Sequence, residues 1–262
     1  MFIIVLLLVI YLFFIMPRMF NKPDTSVLRG YHYAHRGLFN NDGDAPENSL
    51  LAFKRAVEKG YGIELDVQLT KDDQLIVFHD ASLKRMTGID GYVWDYTLEE
   101  LKQFKLGDSQ ETIPTFQEVL DVIDGKVPFI LEYKLDRPQT KVCVLANELL
   151  KDYRGVYCIE SFHPLAPMWY KKNRPDVIRG QLSCDYWKEN RRTFVLTLLM
   201  FLLSNIITRP DFIAYKHTDM NISVRLNKLL GAFMVTWTVK SKEDYNKVKD
   251  FYDVVIFDSF EL

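Results

Sequence analysis

Cysteine is scarce: Cys143, Cys158 and Cys184 are the only three in 262 residues. An odd number without CxxC spacing excludes a disulfide framework and a zinc-thiolate centre, and fits buried thiols in a reducing compartment. Basic runs interleaved with aromatics are missing and the formal net charge is only -2. That removes the electrostatic footprint of a nucleic-acid binder, so no nucleic acid is expected as a partner. The chain also lacks an internal repeat or a low-complexity tract, which excludes a repeat array.

What is abundant is apolar residue, 48% of the chain, enough for a substantial core in a single catalytic domain. Met1 to Met16 is apolar without interruption. As a helix it would reach roughly 24 Å, slightly short of the bilayer's hydrocarbon core. It has neither the positive start nor the small-residue cleavage site of a signal peptide, so an uncleaved single-pass transmembrane anchor is expected over 1–20, with a polar linker at 21–29. Arg18, Lys22 and Arg29 follow the segment and only the terminal amine precedes it. The positive-inside rule then places the catalytic domain, 30–262, on the cytoplasmic side of the cell membrane. The alternative is an apolar helix docked on the domain itself.

Beyond the linker, short apolar runs near 30–34, 61–68, 127–132, 156–161, 177–181, 212–215, 233–238 and 253–257 predict eight strands. Gln74 to Phe78 predicts a hairpin partner for the second of them. Helical patterns lie between the runs. Thr97 with Glu100 and Thr115 with Glu118 match the capping box, and the helix after Asn48, with Leu50, Phe53 and Val57 on one face, stops at Gly60. Repeated β-then-α order implies a parallel sheet with right-handed crossovers, and eight strands close into a TIM (β/α)8 barrel.

Two histidines and four acids gather in Tyr33-Ala34-His35-Arg36-Gly37, Pro46-Glu47-Asn48-Ser49, Glu64-Leu65-Asp66 and Phe78-His79-Asp80. Glu64 and Asp66 stand two apart in a strand, so both carboxylates point to one face and one divalent cation can bridge them. Glu132 and Lys134 repeat that spacing after another apolar run and add an ammonium beside a carboxylate. His35, Glu64, Asp66, Glu132, Ser161 and Trp237 all fall near carboxyl ends of predicted strands, where barrel active sites sit. The density of these groups points to metal-assisted phosphoryl transfer.

These motifs, with Val77-Phe78-His79-Asp80, Glu132-Tyr133-Lys134, Ser161-Phe162 and Thr236-Trp237, resemble in order those of the glycerophosphodiester phosphodiesterase family, over residues 31 to 258. The resemblance implies a TIM barrel with a small insertion after the histidine-aspartate motif, here Ala81 to Ile113. It implies that Glu64, Asp66 and Glu132 ligate one divalent cation, and their oxygen ligands suit Mg2+ or Ca2+. His35 and His79 become the acid-base pair, with the direction of proton transfer open. Arg36 and Lys134 become phosphate contacts, the alternative being ion pairs with Glu47 and Glu132. Glu47 and Asn48 become supporting residues. Trp237 either caps the substrate pocket or packs in the core. Ser49 replaces the usual threonine, Asp73 a common turn glycine, and the run from Tyr252 to Phe257 lacks its usual glycines. None of these departures touches the implied acid-base or metal groups, so an active enzyme is expected, and aspartate at 73 tolerates a left-handed turn.

Phe194 to Leu203, continuing through Ile207, is almost wholly apolar and has basic flanks at Lys188, Arg191, Arg192 and Arg209. Too short to span a bilayer, it reads as an interfacial helix over 194–207, the alternative being ordinary packing or a dimer contact. The expected partners are therefore a membrane bilayer and a small-molecule or lysolipid glycerophosphodiester. The expected activity is metal-dependent hydrolysis of that diester to an alcohol and glycerol 3-phosphate. A lysophospholipase D type activity and a non-catalytic lipid-binding protein are the rivals.

Overall fold

The computed structural model describes every residue except 259 and 261. Its strands are β1 (Tyr33–His35), β2 (Gly62–Leu69), β3 (Leu75–Val77), β4 (Phe129–Tyr133), β5 (Tyr157–Ser161), β6 (Arg179–Ser183), β7 (Phe212–Lys216), β8 (Phe233–Val239) and β9 (Val254–Phe257). The helices are α1 (Phe2–Ile15), α2 (Leu50–Glu58), α3 (Lys84–Thr87), α4 (Leu98–Leu101), α5 (Phe116–Ile123), α6 (Lys141–Leu150), α7 (Leu165–Asn173), α8 (Phe194–Met200), α9 (Asn205–Thr208), α10 (Ile222–Leu229) and α11 (Lys242–Val248). The hydrogen-bonded strand order is β1-β9-β8-β7-β6-β5-β4-β2-β3, with β1 also pairing β2. With β3 set aside as an added antiparallel strand, that is the order of an eight-stranded α/β barrel of the TIM type. The chain divides into two compact units, residues 30–158 with 256–262 and residues 1–29 with 159–255.

In the first unit, β1, β2 and β4 run parallel, and their register sets His35 beside Glu64 and Asp66 beside Glu132. Strand β9 flanks β1 on its other side. Every residue of β2 and β4 is buried. Burial on both faces, as a parallel sheet demands, is why these strands read as apolar runs interrupted only by functional acids. The hairpin from β2 to β3 turns at Asp73, whose φ of 61° is the left-handed conformation expected of it. Both capping boxes form: Thr97 and Thr115 each accept from the backbone of the glutamate three residues on, and each glutamate accepts in return from the threonine N–H. Helix α2 begins at Ser49, whose Oγ accepts from Ala52 N–H at 3.1 Å, but its buried face is Ala52, Phe53 and Ala56. Leu50 and Val57 are only half-buried, one step around the helix from the expected stripe. The insertion 81–113 carries its own small core, in which Leu83, Met86, Val93, Leu101 and Leu106 pack with Ile76 and Phe78.

In the second unit β5 to β8 are parallel, with Ile159 beside Arg179, Gly180 beside Phe212, and Phe212 beside Phe233. Helix α1 corrects the transmembrane expectation. It has 14 residues, about 21 Å, and no helix among the described residues is long and apolar enough to cross a membrane. Its last turns are spent on protein. Ile15 is buried, Tyr11 Oη meets Ser223 Oγ at 2.6 Å, and Asn205 Nδ2 donates to the Ile15 carbonyl at 2.6 Å. The run 194–207 is likewise not one helix. It breaks into α8 and α9 at Leu202, which takes a φ of 59°, and Leu199, Met200 and Leu202 turn inward while Phe194, Val195 and Ile207 stay exposed.

Candidate active site

β1 ends at His35, and the next two residues, Arg36 and Gly37, adopt positive φ values of 57° and 84°. A Cβ at Gly37 would lie 2.8 Å from the Ala52 backbone, so only glycine lets this turn press on α2. The turn aims the Arg36 N–H at Glu64 Oε2, 3.2 Å away. The Asn48 N–H in turn donates to the Arg36 carbonyl at 2.9 Å, and Asn48 Nδ2 donates to Asp66 Oδ2 at 2.8 Å. Asn48 thus ties the turn after β1 to Asp66.

Glu64, Asp66 and Glu132 are 2%, 1% and 7% exposed. Three carboxylates so deeply buried require positive charge nearby. Lys134 Nζ lies between two of them, 2.9 Å from Asp66 and 2.5 Å from Glu132. Burial alone would lower the Lys134 ammonium, but Asp66 and Glu132 outweigh it and hold the group protonated. Asp66 is pushed up by burial and further down by Lys134, His79 and Arg36, so it stays ionised; burial dominates at Glu132 and raises it. Arg36 Nη1 reaches Glu47 at 2.6 Å and Arg36 Nε stands 3.6 Å from Asp66. Both proposed phosphate contacts are therefore also ion-paired in the way the sequence left open.

His35 Nε2 is 3.9 Å from Glu64 Oε2, and its Nδ1 is 3.9 Å from Asp258 Oδ2. Burial lowers the imidazole to about 4, with Asp258 opposing that shift, so His35 is neutral near pH 7. His79 is held differently. Its Nδ1 is 2.6 Å from Asp80 Oδ1, and Gln68 Nε2 donates to the carbonyls of Phe78, His79 and Asp80 at 2.8, 3.1 and 2.8 Å, fixing the segment that carries it. Arg85 ties Asp80, through Nε at 2.6 Å, to Glu47, through Nη2 at 2.7 Å.

The structure thus gathers His35, Arg36, Glu47, Asn48, Glu64, Asp66, His79, Glu132 and Lys134 in one unit. Trp237 belongs to the other unit, where its ring meets Phe162 edge-on at 5.3 Å and joins Cys184, Tyr186 and Leu199 in an apolar cluster. Asp258, Asp80 and Arg85 were not singled out in the sequence. Asp80 lies inside a motif and Asp258 ends the last strand as other site residues end theirs, but Arg85 carries no signal beyond its charge. In the other unit a further acid, Glu160 near the end of β5, is 1% exposed.

The donor set fits a hard divalent cation. It is all oxygen and buried, with one ammonium between Asp66 and Glu132 and one guanidinium near Asp66. A carboxylate cluster with a lysine, flanked by a neutral imidazole and a carboxylate-braced one, can neutralise a phosphate and move protons on and off oxygen.

Residues 35–261 match the glycerophosphoryl diester phosphodiesterase family. The glycerophosphodiester phosphodiesterase of Caldanaerobacter subterraneus subsp. tengcongensis is 34% identical over 245 residues, 87% of this chain and 93% of that protein. A lysophospholipase D of Rattus norvegicus is 29% identical over 151 residues, 53% of this chain and 46% of that protein. Among solved structures, a phosphodiesterase of Oleispira antarctica, in complex with the product sn-glycerol-3-phosphate, superposes with a TM-score of 0.72 at 26% identity, covering 87% of this chain and 93% of that one. The chain belongs to the glycerophosphoryl diester phosphodiesterase family, whose members are phosphoric diester hydrolases.

Proposed function

We propose that this enzyme hydrolyses glycerophosphodiesters to an alcohol and glycerol 3-phosphate with one divalent cation, Mg2+ or Ca2+, held by Glu64, Asp66 and Glu132. The carrying observation is the set of three buried acids, two of them sharing Lys134, with His35 in register beside Glu64. A bound cation would neutralise nonbridging phosphate oxygens. Lys134 adds a point charge to the same phosphate, and Arg36, held by Glu47, presents its guanidinium edge.

The two histidines divide the proton work. His35, neutral because buried, accepts a proton from the attacking water as its oxygen bonds to phosphorus and the bond to the leaving alcohol breaks. His79, with Asp80 accepting at Nδ1, is oriented so that Nε2 gives its proton to the departing alkoxide.

The site works at a membrane surface, on the cytoplasmic side. Support comes from the apolar, exposed length of α1 and from Arg18 and Lys22 just after it. The same feature favours a second reading, lysophospholipase D activity on lysolipids within the bilayer, and the partial likeness to the rat lysophospholipase D agrees with it. Incubation with glycerophosphocholine and with lysophosphatidylcholine decides between them. Glycerol 3-phosphate from the first supports the main reading, lysophosphatidic acid from the second alone supports the other, and neither product from a folded protein leaves a non-catalytic lipid binder.

A further inference from the structure

At the foot of α1 lies a cleft of about 390 Å³ lined by Arg18, Lys171, Arg179 and Arg209, with Met19 and Phe20 beside them. We propose that this cleft binds the phosphate of an anionic phospholipid headgroup. The proposal rests on the membrane-surface reading above and adds a lipid class to it, through a site separate from the phosphodiester one.

Charge is the first argument. Four cations line the cleft and no acid does. The nearest carboxylate is the buried Asp211, 3.6 Å from Arg18 and 3.7 Å from Arg179. One acid cannot balance four cations, and the residual repulsion is visible at Lys171, whose ammonium is lowered by burial and then by Arg179 and Arg209. Arg179 itself is 2% exposed, and its Nη1 is buried without a hydrogen-bond acceptor.

The plainer role of these cations is to cap carbonyls, and they do so. Arg209 Nη1 donates to the carbonyls of Phe13 and Met16 at 3.0 and 2.9 Å, Lys171 Nζ to Ile207 at 2.8 Å, and Arg18 Nη1 to Pro175 at 2.8 Å. Those bonds fix the cations around one opening but use only part of their donor capacity, since a guanidinium has five N–H groups and an ammonium three.

Depth is the second argument. Phe2 to Ile10 are all large, apolar and exposed, 79% at Phe2 and 43% at Ile10. Along the helix axis those nine residues reach about 14 Å, close to half of the roughly 30 Å hydrocarbon core, so they match one leaflet. Met16 begins the cleft about 9 Å further along the chain, where phosphates lie when the helix stands in that leaflet. Phe20, 84% exposed, sits at the same edge. An apolar plug of one-leaflet length with an anion cleft at its base fits a lipid surface better than a soluble phosphate.

The test is co-sedimentation of the full-length protein with phosphatidylcholine vesicles, with and without phosphatidylglycerol. K171Q/R209Q removes two cleft charges, and K242Q/K249Q removes two exposed charges elsewhere as a control. The expected result is binding to both vesicles, tighter by about tenfold on the anionic ones, with that preference lost in K171Q/R209Q and kept in the control. Both variants should keep turnover of soluble glycerophosphocholine and binding to phosphatidylcholine vesicles; K171Q/R209Q, which also loses its bonds to the Phe13, Met16 and Ile207 carbonyls, should melt lower than wild type while staying folded. An equal anionic preference in K171Q/R209Q, or an equal loss in the control, overturns the cleft while leaving the membrane-surface reading standing. No binding to either vesicle overturns both.

Discussion

At the residue scale the site is an arrangement of charge held by neighbours. Lys134 is the ammonium shared by Asp66 and Glu132, and K134Q leaves those buried acids without it. Turnover should fall by at least about a hundredfold, the order seen when one donor to a developing anion is lost. Glu47 shows how the support is built. Burial pushes its carboxyl up, but hydrogen bonds from Arg85 and the charge of Arg36 outweigh that and bring it down to about 2 from an ordinary 4.5. A carboxyl lowered on folding adds stability that is complete above about pH 4.5 and lost as pH falls toward 2. In chemical denaturation across that window, wild-type stability should drop more steeply than that of E47Q. Asp258 faces His35, and D258N should lower kcat by about ten- to a hundredfold, the usual cost of removing a carboxylate that orients a functional imidazole. Glu64 and Asp66 were legible as a pair because alternate residues of a strand share a face, and the histidines and Lys134 through the order of their motifs. Asp258 and Arg85 were not, because their part depends on which distant residue they meet.

At the scale of elements, the strands were readable where both faces are buried, since β2 and β4 have no solvated side to blur the apolar run. The helix starts at Thr97 and Thr115 were readable because a capping box is a local arrangement with local partners. T115A should cost about 1 kcal/mol in thermal or chemical unfolding, and T97A a similar amount. Gly180 on β6 marks a contact that no local pattern announces. A Cβ there would lie 2.1 Å from the Phe212 ring, so G180A should destabilise by about 1–3 kcal/mol through overpacking. Helix α1 shows where length and hydropathy stop being informative. Sixteen apolar residues suit a thinned bilayer or a docking groove equally, and only the partners at Ser223, Asn205 and Arg209 show that the last turns are used against protein.

On the scale of the whole molecule, family and fold follow from matches that run nearly end to end, so a hydrolase acting on glycerophosphodiesters is expected to need every part of the site at once. The chain also carries an apolar, exposed N-terminal helix with a basic cleft at its base, the features on which the proposed membrane-surface reading rests. The central claim is that three buried acids hold a divalent cation needed for hydrolysis. The most direct measurement is glycerol 3-phosphate release from glycerophosphocholine by chelator-treated protein before and after Mg2+ or Ca2+ is added back, with E64A run in parallel. The account predicts turnover that vanishes with the metal, returns on addition, and returns in neither condition for E64A while its fold is kept. Full turnover in chelator, or near-wild-type turnover by E64A, would contradict it.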